Sequence, residues 1–491
     1  MDRRAGMLGD DPAIDLGIVL AAVASALTAV SGVVFGYMMV AGIALVGLVL
    51  VLAYGGHQVI DGRLTIGELV AFNAYVALLV WPMRMLGWIV AMVFGALPYL
   101  VCGVLGPVDA LFESMSGFTT TGASVLVDYN QPHGILFWRS LTHWYGGMGI
   151  LVLFVAILPS IGAGAMKLFS AESPGPVTER LTPKLRDTAR GLWLIYVALT
   201  LLETVLLTAA GMPLFDAVTH SFGSMATGGF SPLERSVATY NNVTYEAIIT
   251  WFMFLAGGNF ALYFAFLRGQ RRKLFQSPEF RSYTGIVGLS IIAITISLIA
   301  AKSHFTIGHA FREAAFQVVS VQTTTGFVSA DFDQWNTFAK FLLLILMFIG
   351  GSAGSTAGGF KVSRLLVLLK STHHGLTRQL HPKAVLPLKL GGQVVPESIR
   401  ISVFQHFALY VMVFVVGSLL IATSNTDLIT ASTSVIATFN NIGPGLGAVG
   451  ATMNYAFMTP FAKLVLTALM VIGRLELYAI LLPFTRQFWK K

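Results

Sequence analysis

DALFESMSGFTTTGAS, residues 109–124, is the first copy of a pattern that recurs along the chain. A half-apolar segment of roughly three helical turns, 109–118, runs directly into the polar-glycine string FTTTGAS (118–124). Three further strings repeat the pattern: MATGGFS (225–231), QTTTGFV (322–328) and FNNIGPG (439–445). Short segments 216–225, 309–321 and 427–438 lead into them. With Gly122, Gly228, Gly326 and Gly443 taken as equivalent, the spacings are 106, 98 and 117 residues. Such a period is too long for a solenoid unit and suits a pair of membrane helices with a shorter folded segment between them.

Composition agrees. The 491 residues are 55% hydrophobic and only 11% charged, with mean hydropathy +0.76. A soluble domain carries about 25% charged residues, so the expected class is an all-α polytopic membrane protein. The single cysteine, Cys102, excludes a disulfide framework and thiolate metal sites and is expected to be a small core residue. Residues 1–11 read as a polar leader without a signal-peptide cleavage pattern.

Apolar stretches long enough to span, about 20 residues each, fall at 14–30 and 33–54, then in four pairs. The pairs are 70–101 with 137–159, 191–210 with 245–268, 282–301 with 337–369, and 401–423 with 460–484. They give an N-terminal helical hairpin over 1–66 and four repeats over 67–160, 161–268, 269–371 and 372–491. The net charge of +8 does not indicate nucleic acid, because the basic residues are sorted by loop. Nineteen Lys and Arg lie in 167–190, 268–281, 361–389 and the C-terminal tail; the loops carrying the glycine strings hold about three. The positive-inside rule then puts the glycine strings outside. Asp128, Glu234, Asp331 and Asp333 sit in those outer loops, either as a cation-attracting mouth or as ordinary solvated loop charge.

Each short segment cannot cross the membrane, so it must dip in and return. Asp109, Asp216 and Asp427 at or near three of the starts fit the positive dipole end of a helix. The third segment begins near His309 without an Asp. Four negative carboxyl ends would then converge on the membrane centre, each favouring a cation by a few tenths to about 1 kcal/mol. Non-helical backbone at that depth is tolerated only when buried or lining water. Rings of carbonyls there could replace the hydration shell of a monovalent cation. A single such glycine could equally serve close helix packing; four copies, each after a re-entrant segment, favour the ring.

From about residue 94 to 488 the chain resembles the Trk/Ktr/HKT potassium transporters, most closely the bacterial TrkH branch. The strings that carry the resemblance are ALPY (96–99), WRSLTHWYGGMGILVLFVAILP (138–159), AESPGP (171–176), TARGLWLIY (188–196) and FDAVTHSFGSMATGGFS (215–231). QVVSVQTTTGF (317–327), GGSAGSTAGGFKVSR (350–364), FNNIGPGLGAVG (439–450) and GRLELYAILLPF (473–484) continue it in order. The resemblance implies four M1–pore-helix–M2 repeats around a pseudo-fourfold pore, with two extra N-terminal helices, in the bacterial inner (cytoplasmic) membrane. It implies a homodimer and a cytosolic nucleotide-binding regulatory subunit, TrkA-like, with membrane lipid as the other partner and no nucleic acid. It implies no enzyme and no cofactor, K+ being the transported ion. Under it the potassium filter is Thr120, Thr121, Gly122; Ala226, Thr227, Gly228; Thr324, Thr325, Gly326; and Asn441, Ile442, Gly443. In plant relatives a Ser at the first filter Gly accompanies sodium permeation; all four positions here are Gly. Residues 58–90 instead resemble a transmembrane segment of an ABC exporter, although the chain has no GxxxxGK phosphate loop.

Two features suggest a gate. The second helix of repeat three is interrupted by GGSAGSTAGG, with Gly350, Gly351, Ser352, Gly354, Ser355, Gly358 and Gly359. Each interior Gly costs about 1 kcal/mol against Ala in a helix, so this run either breaks the helix under the filter as a flexible plug or makes a packing kink. Arg474, inside the last span, costs at least about 2.5–3.5 kcal/mol there on insertion scales. Facing the pore at about 5 Å it would oppose a cation by roughly 3 kcal/mol at an effective permittivity of about 20. The other reading is an ion pair with Glu476. His143 and Trp144 read as packing at the membrane interface, and Lys361 and Arg364 as side chains snorkelling to the basic face. Gated potassium uptake leads; sodium-coupled or sodium-permeable transport, and a scaffold or exporter fragment, are the competing readings.

Overall fold

The computed structural model describes residues 93–157, 181–301, 306–381 and 387–475, with isolated positions 58, 59, 61, 65, 67 and 477. The N-terminal hairpin, the exporter-like stretch up to residue 92 and Glu476 lie outside the described residues. By internal contacts the chain forms two compact units. One comprises Met1–Ser114, Gln131–Trp138 and Leu482–Lys491; the other, Met115–Asn130 and Arg139–Leu481. In the first, Tyr99, Ala110 and Phe112 are fully buried and Trp138 Nε1 donates to Gly95 O at 3.0 Å. Cys102 is exposed, not a core residue, because it follows the end of a helical run in a turn.

The described chain is helical apart from a two-residue hairpin, β1 (Lys389–Leu390) and β2 (Gln393–Val394). In order the helices are α1 (Pro107–Phe118), α2 (His133–Ile157), α3 (Leu181–Ala209), α4 (Leu214–Ala226), α5 (Val243–Ala256), α6 (Phe260–Leu267) and α7 (Arg271–Gln276). Then come α8 (Pro278–Ala300), α9 (Ile307–Gln322), α10 (Thr337–Ile349), α11 (Val362–Leu380), α12 (Glu397–Ala422), α13 (Leu428–Phe439) and α14 (Pro460–Arg474). The four short helices expected from sequence are α1, α4, α9 and α13. In repeats two to four each packs between a preceding long helix and a following one, as α9 does with α8 and α10. Among the described residues three helices are long and apolar enough to cross a membrane: Arg190–Ala209, Pro278–Ala300 and Glu397–Ala422. Their exposed faces carry Leu201, Leu289 and Leu419, apolar surface that lipid covers.

Helix starts follow local chemistry. Asn242, Ser277, Thr306, Asn336, Asp427 and Thr459 each accept an N–H of the following turn, satisfying donors with no intrahelical partner. Of the three aspartates only Asp427 is a true cap. Asp109 and Asp216 lie within the first turn, and Tyr240 donates to Asp216 Oδ2 at 2.6 Å. Thr306 takes the role in α9 that the missing Asp left open. Arg312 on α9 grips Glu246 on α5 with two hydrogen bonds of 2.7 Å, and both helices border one core with Ile249, Met253, Phe316 and Val319.

The sequence offers 245–268 as one apolar stretch long enough to span. Instead, Gly257 and Gly258 end α5, and α6 departs at 94°. The Asn259 side chain caps the new helix by accepting from Ala261 N, so two glycines and one cap suffice to turn the chain.

Candidate functional site

Each short helix ends in the same turn. The residues Thr120, Thr227, Thr324 and Asn441 all have φ between 53° and 56°. A β-branched residue in the left-handed region is strained by about 1–3 kcal/mol, yet three of the four are Thr. The next residue donates its N–H back into the helix at the same 2.8 Å in every copy: Thr121 to Ser116 O, Gly228 to Gly223 O, Thr325 to Ser320 O and Ile442 to Ala437 O. The third residue is glycine with positive φ: Gly122 (80°), Gly229 (79°), Gly326 (80°) and Gly443 (97°).

That register corrects the sequence alignment. The glycine equivalent to Gly122 in repeat two is Gly229, not Gly228; the motif there is Ala226-Thr227-Gly228-Gly229, and Ala226 is the last helical residue. The true spacings are 107, 97 and 117 residues. A signal was present: Ser124 and Ser231 each stand two residues past the correct glycine, and Gly229-Phe230 matches Gly326-Phe327.

The four strands form a closed ring. A methyl group on Gly122 would lie 2.0 Å from Gly228 O, one on Gly229 2.1 Å from Thr325 O, and one on Gly326 1.8 Å from Ile442 O. One on Gly443 would lie 2.8 Å from Thr121 O, which returns to the first strand. No side chain fits at any of these positions. The backbones can therefore approach one another only as glycine, with the carbonyls of Thr121, Gly228, Thr325 and Ile442 against neighbouring strands. Thr120, Thr121, Thr227, Thr324, Thr325, Asn441 and Ile442 are fully buried. Thr120 Oγ1 is buried without a hydrogen-bond partner, an oxygen still able to serve as a ligand.

Outside the ring the following loops are stitched in the same cyclic order. Arg139 donates to Ser231 O and Ser124 Oγ, both at 3.0 Å, with its guanidinium 4.1 Å over the Phe230 ring. Ala238 N donates to Val328 O (3.0 Å), Gly447 N to Asp333 Oδ2 (3.0 Å) and Tyr455 N to Ser124 O (2.8 Å). A cavity of about 70 Å³ opens there, lined by Gly122, Gly229, Gly326 and Gly443 together with Arg139 and Glu234. Of the four outer acids, Glu234 alone borders it. Asp128 and Asp331 accept loop N–H groups and Asp333 holds the Gly447 loop.

The TrkH family model, described as a cation transport protein, matches residues 88–491. This chain belongs to the TrkH family. The chain is 44% identical over 409 residues to the Trk system potassium uptake protein TrkH of Salmonella typhimurium, covering 82% of this chain and 84% of the relative. Its counterpart in Escherichia coli is 40% identical over 482 residues, 91% of this chain and 98% of that one. The crystal structure of the potassium transporter TrkH from Vibrio parahaemolyticus is similar with a TM-score of 0.78 at 35% identity, covering 97% and 98% of the two chains. As a member of the TrkH family the chain is a multi-pass helical membrane protein with the repeated fold expected from its sequence.

Beneath the ring of this TrkH-family chain lies the glycine run. It breaks the helix completely: α10 ends at Ile349 and α11 starts at Val362. Gly350 (φ 70°) and Gly359 (φ 78°) meet at the neck, where a methyl on Gly350 would lie 2.8 Å from Gly359 Cα. Gly351, Ser352, Gly354, Ser355 and Gly358 are all within the loop so closed, partly or fully buried. Hydrogen bonds from several elements hold it: Phe260 N donates to Gly354 O (3.1 Å), Ala353 N to Glu279 Oε1 (2.7 Å), and Thr356 Oγ1 to Met225 O and Ala256 O (3.1 and 3.2 Å). Gln322 Nε2 donates to Gly350 O (2.5 Å), Ser352 N donates to Gly257 O (2.9 Å) and Gly358 N donates to Thr324 Oγ1 (2.7 Å). Arg474 Nη1 donates to Thr356 O at 2.7 Å.

Arg474 is 4% exposed and its second contact is Gly146 O at 3.5 Å. Gly358, whose methyl would lie 2.2 Å from Asn440 O, seats the loop against the base of the fourth strand. Loop and arginine thus lie together immediately below the strands. Sequence reasoning missed Thr356, Gln322 and Gly257, all isolated residues whose importance depends on what folds beside them.

Two bland readings are corrected. His143 is not at the membrane interface: it is fully buried, stacked on Phe230 at 4.1 Å, with its ring where a Gly228 side chain would be. Lys361 does not snorkel away. Its φ of 80° turns it back, and Nζ donates to Ala357 O of the loop.

Proposed function

We propose that this chain conducts potassium into the cell through the ring of four strands. The observation that carries the reading is the closed cycle of glycine-to-carbonyl approaches. It brings backbone oxygens of all four strands together, the ligands that replace a monovalent cation's water. The filter is Thr120–Gly122, Thr227–Gly229, Thr324–Gly326 and Asn441–Gly443, with Ala226 supporting it as the last helical residue. The negative ends of α1, α4, α9 and α13 add favourable potential below it. A membrane potential of 100 mV is worth about 2.3 kcal/mol per charge, enough to drive roughly fifty-fold accumulation without another energy source.

The loop Gly350–Gly359 and Arg474 form the barrier: the loop fills the space under the strands and the arginine pins it through Thr356 O while placing a fixed positive charge there. The repeats span 67–160, 161–268, 269–371 and 372–491. The setting is the bacterial inner membrane, as a homodimer with a cytosolic nucleotide-binding subunit that moves the barrier. The names of the relatives, Trk system potassium uptake proteins, support the ion and the multi-component system. The test is cation flux from purified protein in liposomes with potassium–sodium competition. Flux that rises with potassium and resists sodium is expected; equal passage of both ions would reject the filter.

A further inference from the structure

We propose that Glu279 is the latch of the intramembrane loop, a positioning residue that holds the barrier in place from the side away from the filter. This rests on the reading of Gly350–Gly359 as the barrier. Glu279 lies in the first turn of α8 and is only 9% exposed. Its Oε1 accepts the Ala353 N–H at 2.7 Å. The Ser363 hydroxyl and N–H and the Lys361 ammonium face the same carboxylate. One side chain therefore grips the loop near its start and the chain again just past its end.

The usual explanation of a Glu in a first helical turn is service to its own helix dipole. Here α8 already has Ser277 as its cap, accepting from Phe280 N. α11, by contrast, has no side-chain cap of its own, because Lys361 at its N-cap position provides no acceptor. Glu279 meets that deficit from another helix, so α8, the loop and α11 share one acceptor. The loop's other holds include the side chains of Gln322, Thr324 and Arg474 and the backbone of Met225, Ala256, Gly257 and Phe260. Glu279 is the carboxylate among them, and a charged acceptor away from water makes the stronger bond. The Ala353 bond must break, or α8 must move with the loop, before the loop can vacate the space under the strands.

Potassium flux in liposomes tests this with full-length protein. Glu279→Ala should raise the initial rate roughly tenfold, the shift expected from losing a hydrogen bond to a charged group. Glu279→Gln, which keeps an acceptor oxygen but not the charge, should fall between. A Glu279→Cys/Ala353→Cys pair on a Cys102→Ser background should be slow when oxidised and fast when reduced. Wild-type rates in folded Glu279→Ala, or a rate indifferent to reduction in the cysteine pair, overturn the latch. A loop shortened within 353–357 separates the two readings: if it raises flux while Glu279→Ala does not, the barrier stands and the latch falls. If neither changes flux, the barrier reading falls with it.

Discussion

Asn441 donates from Nδ2 to Thr121 Oγ1 at 2.9 Å, joining the fourth strand to the first across 320 residues of chain. The same amide also reaches Met470 O at 3.1 Å, so it ties the ring to the last helix. In the other three repeats this position is Thr, and in repeat three its hydroxyl accepts from Gly358 N of the loop instead of joining two strands. The longer side chain thus spans the one junction of the ring between repeats that are not consecutive in the chain.

Asn441→Ala should therefore loosen the ring where it closes. Two buried hydrogen bonds are lost, at about 1–3 kcal/mol for the groups left unpaired, and Ala tolerates the φ of 56° less well than Asn. A several-fold drop in the potassium-to-sodium flux ratio is expected, with a lower melting temperature. An unchanged ratio would place Asn441 among merely structural residues.

Gly122→Ser should raise sodium flux, and the backbone register extends the prediction to Gly229→Ser. Each new side chain would collide with a neighbouring carbonyl, at 2.0 Å and 2.1 Å respectively, and force its strand outward. Matching selectivity changes in the two variants are expected. Retained selectivity in Gly229→Ser would restore Gly228 as the counterpart of Gly122.

Arg474→Ala should increase flux at least several-fold. It removes both the charge under the strands and the hydrogen bond that pins Thr356. Arg474→Lys keeps the charge without the planar fork and should increase flux less. Initial rates of potassium uptake into liposomes decide; equal rates in all three proteins would make Arg474 a packing residue.

Asp333 gives a pH prediction. Burial is the main influence on its carboxyl and, with Asp331, pushes its pKa up, against the downward pull of Gly447 N–H and Lys340. The folded protein thus holds this proton to higher pH than the unfolded chain does. Its contribution to stability is complete below the ordinary aspartate value near 3.9 and declines as pH rises through the raised one. Asp333→Asn should abolish that decline while keeping an acceptor for Gly447. Melting temperatures of the two proteins should converge or diverge only across this acidic window, and parallel curves throughout would refute the assignment.

Local sequence was enough for the membrane class, the four short segments before the glycine strings, the break at 350–359 and the burial of Arg474. Those depend on hydropathy, length and glycine content, which are properties of short stretches of chain. Only the folded structure decided that Gly229 holds in repeat two the place Gly122 holds in repeat one, that His143 backs the second strand, and that Gly257 holds the loop where α5 ends. It also decided that Glu279 serves a loop 74 residues downstream. Each of these is a contact between segments far apart in sequence. Whether a glycine lies on the ring or beside it depends on a one-residue register, set by helix-end hydrogen bonds that no local pattern of polarity encodes.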